Sequence, residues 1–497
     1  MKKDLSALQN GSDIRGVALK IEDGPDVNLS ADEAASIAAA FVRYLSEKCK
    51  KSADSLKIGV GHDSRLTADS LSQAALRGIM AEGAAAYDCG LCSTPSMFCS
   101  TVYAETDFDG SIMITASHLP KNRNGLKLFD KNGGFDKPDI KAVLAMAGEI
   151  EPPACEKTAE KTDLISIYSS DLCEKIKKGV CAEDYDHPLK GLHIVVDAGN
   201  GAGGFFVEKV LSKLGADTSG SSFLEPDGNF PNHIPNPEDK IAIKAICDST
   251  IANKADLGII FDTDVDRMSA VLPSGEAVNR DAIIAMMAAV LAKDNPASTI
   301  VTDSVTSDRL TAFLEGELGL KHRRFKRGYK NVINEAIRLN NEGIACPLAI
   351  ETSGHGALKE NYFLDDGAYM AVKMLIAAAV AKREGRQLGA LIEKLAPAVD
   401  ECERRIKIAG EDFAKTGAKV LEAFEKRAAE KGYRVVPDSC EGVRLSFDDG
   451  WALLRMSLHD PLLPLNVEST REGGCADLLG RVKALISDFE QLDLSVL

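Results

Sequence analysis

Three times in this chain an apolar, β-branched run ends in an aspartate followed by small or polar residues. These are KIGVGHDSR around Asp63, HIVVDAGNG around Asp197 and TIVTDSVTS around Asp303. Continuous apolar strands of this kind are buried on both faces, and helical stretches such as ADEAASIAAAFVRYLSEKC lie between them. The pattern therefore demands an α/β unit used three times, with helices on both faces of mixed, mostly parallel sheets. In such sheets ligands gather beyond the carboxyl ends of the strands, which is where the three aspartates stand. The last hundred residues break the pattern. An amphipathic helix around TGAKVLEAFEKRAAEKG and the short strands RVVP, GVRLSF and WALLRMSL predict a smaller α+β domain. A chain of 497 residues is too long for one core, and four domains are expected, at 1–160, 161–278, 279–397 and 398–497. AGEIEPPACEKT, PSGEAVN and KLAPAVDECE read as the linkers.

The charge balance excludes whole classes of partner. A formal net charge of -16 opposes nucleic acid and anionic membrane, because both require a positive field. An anionic substrate must therefore find a local cationic pocket. The opening MKKDLSALQN lacks the apolar centre of a signal peptide, and the apolar run AIIAMMAAVLA is too short to span a bilayer, so a cytoplasmic protein is expected. The 12 cysteines form no disulfide framework. Cys89 and Cys92 have CxxC spacing but no thioredoxin-like surroundings and no second pair to complete a zinc site, so they read as buried structural thiols.

The sharpest chemical signal is LGIIFDTDVDR, a buried strand followed by Asp262, Asp264 and Asp266. In extended chain alternate residues face one way, so the three carboxylates are expected to close on one hard divalent cation such as Mg²⁺. Without a cation their mutual repulsion in a buried setting is severe. An EF-hand is excluded, because Arg267 stands where that loop needs Gly and Pro273 where it needs Glu. The strand followed by DxDxV also resembles the nucleophile motif of haloacid-dehalogenase-type phosphatases, a reading that leaves Asp266 and Arg267 unexplained. A second stretch, TASHLPKNRNGLKLF, sets Ser117 in a turn among residues suited to phosphate. A phosphorylated Ser117 needs a nearby cation to neutralise its charge, and the aspartates would hold one.

Taken together these stretches carry a resemblance. TASHLPKNRNGLKLF is similar to the phosphoserine loop of the α-D-phosphohexomutase superfamily, the phosphomannomutase/phosphoglucomutase group. DTDVDR resembles that superfamily's DGDGDR metal loop, with Thr263 and Val265 in place of glycines. SDIRG, GHDSR, VVDAGNGAGG, PDGNFPNHIPNPE and ETSGH agree in order along the chain. The resemblance implies four domains around a central cleft. It implies that Ser117 carries the phosphoryl group and, through a phosphate oxygen, binds Mg²⁺ together with Asp262, Asp264 and Asp266. Arg267 and Lys127 are then expected to contact the transferring phosphate, Arg15 to match the active-site arginine near the amino terminus, and His118 to follow the nucleophile. Glu351 and Ser353 are expected on sugar hydroxyls, His355 as an acid/base, and Lys326 on the substrate.

The match departs at RMSLHDP, where Arg-x-Ser-x-Thr-Glu-Pro is the pattern for holding the distal phosphate. Here Arg455, Ser457 and Pro461 remain, while His459 and Asp460 replace Thr and Glu. His459 would add positive charge as pH falls, so phosphate binding there is expected to weaken as pH rises.

The expected reaction interconverts hexose 1-phosphate and hexose 6-phosphate of glucose or mannose type, through phosphoserine and hexose 1,6-bisphosphate, the latter also serving as activator or phosphoryl donor. Three other readings are open. One is a hexose-1,6-bisphosphate synthase fed by a sugar bisphosphate; the others are an Asp-nucleophile phosphatase and a non-catalytic sugar-phosphate sensor. Neither the preferred hexose nor the oligomeric state is read from these residues.

Overall fold

A computed structural model describes residues 3–410, 412–437, 439–457 and 460–497. They form two compact units, Met1–Ile283 with Ser353–Ala390, and Ile284–Thr352 with Leu391–Leu497.

In the first unit, the predicted strand of KIGVGHDSR is Lys57–His62. It lies parallel to Ala85–Leu91 and Gly110–Ile114. Gly110–Ile114 turns back antiparallel into Arg123–Asp130, which pairs with Asp13–Val17. The polar motif residues therefore sit at the ends of apolar strands whose middles, Ile58, Val60 and Ile112, are wholly buried. Helix Ala31–Cys49 covers this sheet. It is set at its start by a Ser30/Glu33 capping box and stopped by Lys50 in a left-handed conformation. Helix Ala68–Ala81 packs against it through Gly78, where a β-carbon would stand 2.2 Å from the Ala35 carbonyl oxygen.

A second sheet in this unit pairs Ile194–Asp197 in parallel with Leu257–Phe261. Because Ile260 lies opposite Asp197, the Asp197 loop and the DTDVDR turn leave the sheet at the same edge. Met268–Val271 and Ala277–Val278 continue the sheet antiparallel. The stretch PSGEAVN, expected as a linker, is the hairpin turn between them. It is closed by Leu272 N donating to Glu276 O at 2.9 Å, with Gly275 supplying the positive φ. Helices Leu164–Val180 and Gly367–Arg383 meet at Tyr168, whose hydroxyl donates to Asp366 at 2.6 Å, and Asp366 in turn caps the second helix.

The second unit holds Thr299–Asp303 between parallel neighbours Lys321–Phe325 and Leu348–Ile350. Its other sheet is wholly antiparallel, ordered Asp400–Lys407, Leu462–Ser469, Gly450–Leu454, Val443–Phe447 and Arg434–Val435. Helices Phe413–Glu430 and Gly474–Ile486 pack on it through Val420, Phe424, Leu478 and Val482. This is the smaller α+β domain. WALLRMSL forms a regular strand only to Leu454, and past it Arg455 N and Ser457 N still donate to Pro464 O and Leu462 O of the neighbouring strand, each at 3.1 Å. Trp451, the one tryptophan in the sequence, lies beneath the Arg444 guanidinium at 3.8 Å. The other sheets of the described residues are mixed, each combining parallel pairs with antiparallel ones. No helix of the described residues is long and apolar enough to cross a membrane.

Candidate active site

Ser117 follows the strand Gly110–Ile114 and has φ of 51°, a left-handed conformation that costs a non-glycine residue about 1–2 kcal/mol. The surrounding chain holds it there. Ser117 N donates to Thr115 Oγ1 at 2.9 Å, and that hydroxyl donates to Asp63 Oδ2 at 2.7 Å. The buried Arg65 guanidinium donates to the carbonyls of Ser117, Leu119, Pro120 and Arg123, so one side chain satisfies most of the loop's inward oxygens. Asp63 Oδ1 accepts from Arg65 N at 2.9 Å. Arg15 donates to Ala116 O at 2.9 Å and to Asp13 at 2.8 Å, which places it on the same loop.

The carboxylate oxygens of Asp262, Asp264 and Asp266 lie within 4.8 Å of one another, and all three residues are buried. They do not converge by the alternation of extended chain. A turn brings them together, with Val265 at φ 65° and Gly367 N donating to Val265 O at 3.0 Å. Val265 is wholly buried, and the packing of its side chain offsets a backbone conformation that glycine would adopt freely. Thr94, the first residue of helix Thr94–Cys99, locks the turn: its amide donates to Asp264 O at 2.9 Å and its hydroxyl to Asp264 Oδ2 at 2.5 Å.

Ser117 Oγ donates to Asp262 Oδ2 at 3.0 Å and accepts from Arg267 Nη2 at 2.9 Å. The same guanidinium holds Asp262 Oδ2 at 3.0 Å and meets His118 Nδ1 at 2.7 Å. Lys127 Nζ does not point at Ser117. It bridges Asp264 at 2.9 Å and Asp266 at 2.5 Å. The ionisations follow from this arrangement. Burial, helped by the Asp266 charge, pushes the Asp262 carboxyl well above the ordinary carboxylate range. For Asp266 burial acts upward but is outweighed by Lys127, His355 and Arg267, so it is held low. Lys127 is raised well above its usual value because Asp264 and Asp266 outweigh its own burial. Burial followed by the charge of Arg267 lowers His118 to about 2, and burial lowers His355 to about 3, so both imidazoles are neutral near neutral pH.

These residues fit a hard divalent cation. Asp264 Oδ1 and Asp266 Oδ1 are buried with no hydrogen-bond partner among the described residues, and both belong to the convergent set.

His355 belongs to the same cluster. Its Nδ1 faces Ser353 Oγ at 2.9 Å and its Nε2 lies 3.6 Å from Asp266 Oδ1. Gly354, at φ 92°, lets Met268 N reach its carbonyl at 3.2 Å, so the segment Ser353–His355 is fastened to the strand after the aspartates. Of the sequence-predicted site residues, Ser117, His118, Arg15, Lys127, the three aspartates, Arg267, Ser353 and His355 therefore share the first unit.

Glu351, Lys326, Arg455 and Ser457 belong to the second unit. Glu351 accepts from Gly328 N at 2.7 Å, and Lys326 is exposed. Arg455 is buried, with Nη1 3.8 Å from Glu441, and burial lowers its pKa. Ser457 Oγ accepts from Asp460 N at 3.1 Å. His459 lies outside the described residues.

Sequence reasoning assigned no role to Arg65, Asp63 or Thr94. GHDSR was visible as a motif, but only the folded loop shows four carbonyls converging on Arg65. Thr94 sits in a stretch that reads simply as a helix start.

Comparison with known proteins agrees with this architecture. The chain matches the family descriptions "Phosphoglucomutase/phosphomannomutase, alpha/beta/alpha domain I" at residues 7–152, domain II at 171–275 and domain III at 279–399. It is 29% identical over 415 residues to a phosphomannomutase/phosphoglucomutase of Pseudomonas syringae pv. tomato, covering 83% of each chain. It is 27% identical to a phosphoglucomutase of Neisseria gonorrhoeae, covering 95% of each. Among solved structures, a phosphoglucomutase/phosphomannomutase family protein from Burkholderia thailandensis superposes with a TM-score of 0.80 at 26% identity, covering 99% of this chain and 100% of that one. With the three α/β/α domain matches and the whole-length structural likeness, this chain belongs to the α-D-phosphohexomutase superfamily.

Proposed function

We propose that this phosphohexomutase interconverts hexose 1-phosphate and hexose 6-phosphate of glucose or mannose type through a phosphorylated Ser117 and a hexose 1,6-bisphosphate. The observation that carries the reading is the position of one oxygen. Ser117 Oγ lies 3.0 Å from Asp262 and 2.9 Å from Arg267, on a loop whose strained conformation presents it to both.

Asp262, Asp264 and Asp266, with an oxygen of phosphorylated Ser117, would hold Mg²⁺, which when bound supplies neutralisation of phosphate charge. The chain's own residues do the rest. A sugar hydroxyl attacks the phosphorus of phospho-Ser117; the P–Oγ bond breaks, a P–O bond to the sugar forms, the hydroxyl proton passes to a base, for which neutral His355 is the candidate, and the departing Ser117 Oγ takes up a proton to become the hydroxyl, so that no net proton is gained or lost. Arg267 stabilises the charge that spreads over the equatorial oxygens. The bisphosphate then turns over and returns its other phosphate to Ser117, the sequence reversing with the second oxygen. Glu351 and Ser353 are assigned to sugar hydroxyls, Lys326 and Arg15 to substrate contact, and Arg455 and Ser457 to the distal phosphate. A hexose 1,6-bisphosphate reloads Ser117 whenever the intermediate escapes.

The test is the intact mass of the protein and of Ser117→Ala, followed by product analysis with glucose, mannose and glucosamine 1-phosphates. One phosphate's mass lost on the substitution, with mutase turnover abolished, supports the proposal. Accumulated bisphosphate replaces it with a bisphosphate synthase. Release of inorganic phosphate that survives Ser117→Ala replaces it with an Asp-nucleophile phosphatase, and ligand binding without phosphoserine replaces it with a sensor.

A further inference from the structure

The loop 232–236 ends at Asn236, whose Oδ1 accepts from Arg267 Nη1 at 3.2 Å and from Glu238 N at 3.0 Å. Asn236 thus holds one end of the guanidinium whose other end holds Ser117. The loop is itself fastened from below by Asp197, at the carboxyl end of the strand Ile194–Asp197. Asp197 Oδ2 faces His233 Nε2 at 2.9 Å and Oδ1 accepts from Gly199 N at 2.8 Å. Both side chains are buried, with 1% and 0% exposure. The other ring nitrogen, His233 Nδ1, faces the Ile234 carbonyl at 3.0 Å. Both nitrogens face acceptors, a carboxylate and a carbonyl, and only a doubly protonated ring donates to both. Gly199, at φ 54°, seats Pro235 against the same turn, where a β-carbon would stand 2.7 Å from the proline ring.

We propose that Asp197 and His233 form a buried ion pair that positions Arg267, through Asn236, on the Ser117 oxygen. The pair rests on the functional reading above for its consequence, but its existence can be tested without turnover. Burial opposes the protonated ring, but Asp197 from the strand, the Ile234 carbonyl and Asp239 from the start of helix Lys240–Asn253 favour it and prevail. As pH rises and His233 loses its proton, the loop loosens and Arg267 loses its brace.

The experiment uses the full chain labelled with ¹⁵N histidine and arginine. His233 is expected to carry protons on both ring nitrogens at neutral pH, and the Arg267 side-chain signals to move in the double variant Asp197→Asn/His233→Gln. That variant is expected to keep KM, to lose kcat roughly tenfold, and to lack the alkaline decline tied to His233. Asn236→Ala is expected to give the same kcat loss with the His233 titration intact, and decides the matter should the double variant fail to fold. A neutral His233 ring at neutral pH, unmoved Arg267 signals, or wild-type kcat in Asn236→Ala each overturns the proposal. A wild-type protein without phosphoryl transfer would sink the functional reading alone, since the ring and guanidinium signals still judge the pair.

Discussion

Lys127 concentrates the energetics of the site in one side chain. Its ammonium lies on Asp264 and Asp266, and with Arg267 on Asp262 it leaves no carboxylate of the turn without a cation. Lys127→Met removes half of that compensation. Breaking a buried ion pair from one side costs about 3–5 kcal/mol, so the variant's thermal midpoint in chelator is expected to fall sharply and to recover when Mg²⁺ is added. A variant that melts like the wild type in chelator would show that Lys127 does not compensate the turn. The same residue marks a limit of sequence reading. Lys127 was legible as a site residue through the resemblance, which points it toward the transferring phosphate, but its bridge between Asp264 and Asp266 was not, because no local pattern pairs residues so far apart in the chain. Val265 is a similar case. The substitution of valine for glycine is plain in the sequence, yet that a β-branched residue sits at φ 65° depends on its complete burial, a tertiary property.

At the scale of elements, the helix-and-strand skeleton was legible because its signals are local. The run ADEAASIAAAFVRYLSEKC became helix Ala31–Cys49, with its cap in the preceding serine, and the three Asp-ended runs became strands. What failed was contextual. PSGEAVN carries linker composition but lies between two strands that pair, and hairpin and linker turns draw on the same residues. Likewise, the aspartates converge through a turn rather than along extended chain, because the strand ends at Phe261. The DTDVDR turn is also packed against the loop after Asp197. A β-carbon on Gly201 would stand 2.6 Å from the Thr263 carbonyl oxygen and 2.8 Å from its Cα, both backbone atoms that cannot swing aside. Gly201→Ala is therefore expected to weaken divalent-cation binding, read by calorimetry, roughly tenfold or more. Gly480, within helix Gly474–Ile486, has nothing within 4 Å of its β-carbon position. There alanine is expected to raise stability by about 0.5–1 kcal/mol, with cation binding unchanged. Equal cation affinity in Gly201→Ala and wild type would show that this contact does not set the turn.

Across the whole molecule, stability should carry a pH signature from the first unit. His233 has a folded pKa raised above the ordinary 6.5, so burial is outweighed by the Asp197 partnership. A raised value means that the pair's stabilisation is complete below about 6.5 and is lost as pH climbs through the folded value. The gap in melting midpoint between wild type and Asp197→Asn/His233→Gln is therefore expected to be wide near pH 6 and to narrow as pH climbs above the ordinary imidazole value. A gap of constant width would leave the ring neutral throughout. The least legible part of the division into two units is the return of the chain to the first at Ser353, inside ETSGH, since no local run announces it. Trp451 makes that division measurable. As the chain's single indole, it lies wholly within one of the two units and under a cation, so light absorbed at the red edge is returned from one address alone. Emission thus watches the second unit while the first stays dark, so an unfolding midpoint read from it is that unit's own.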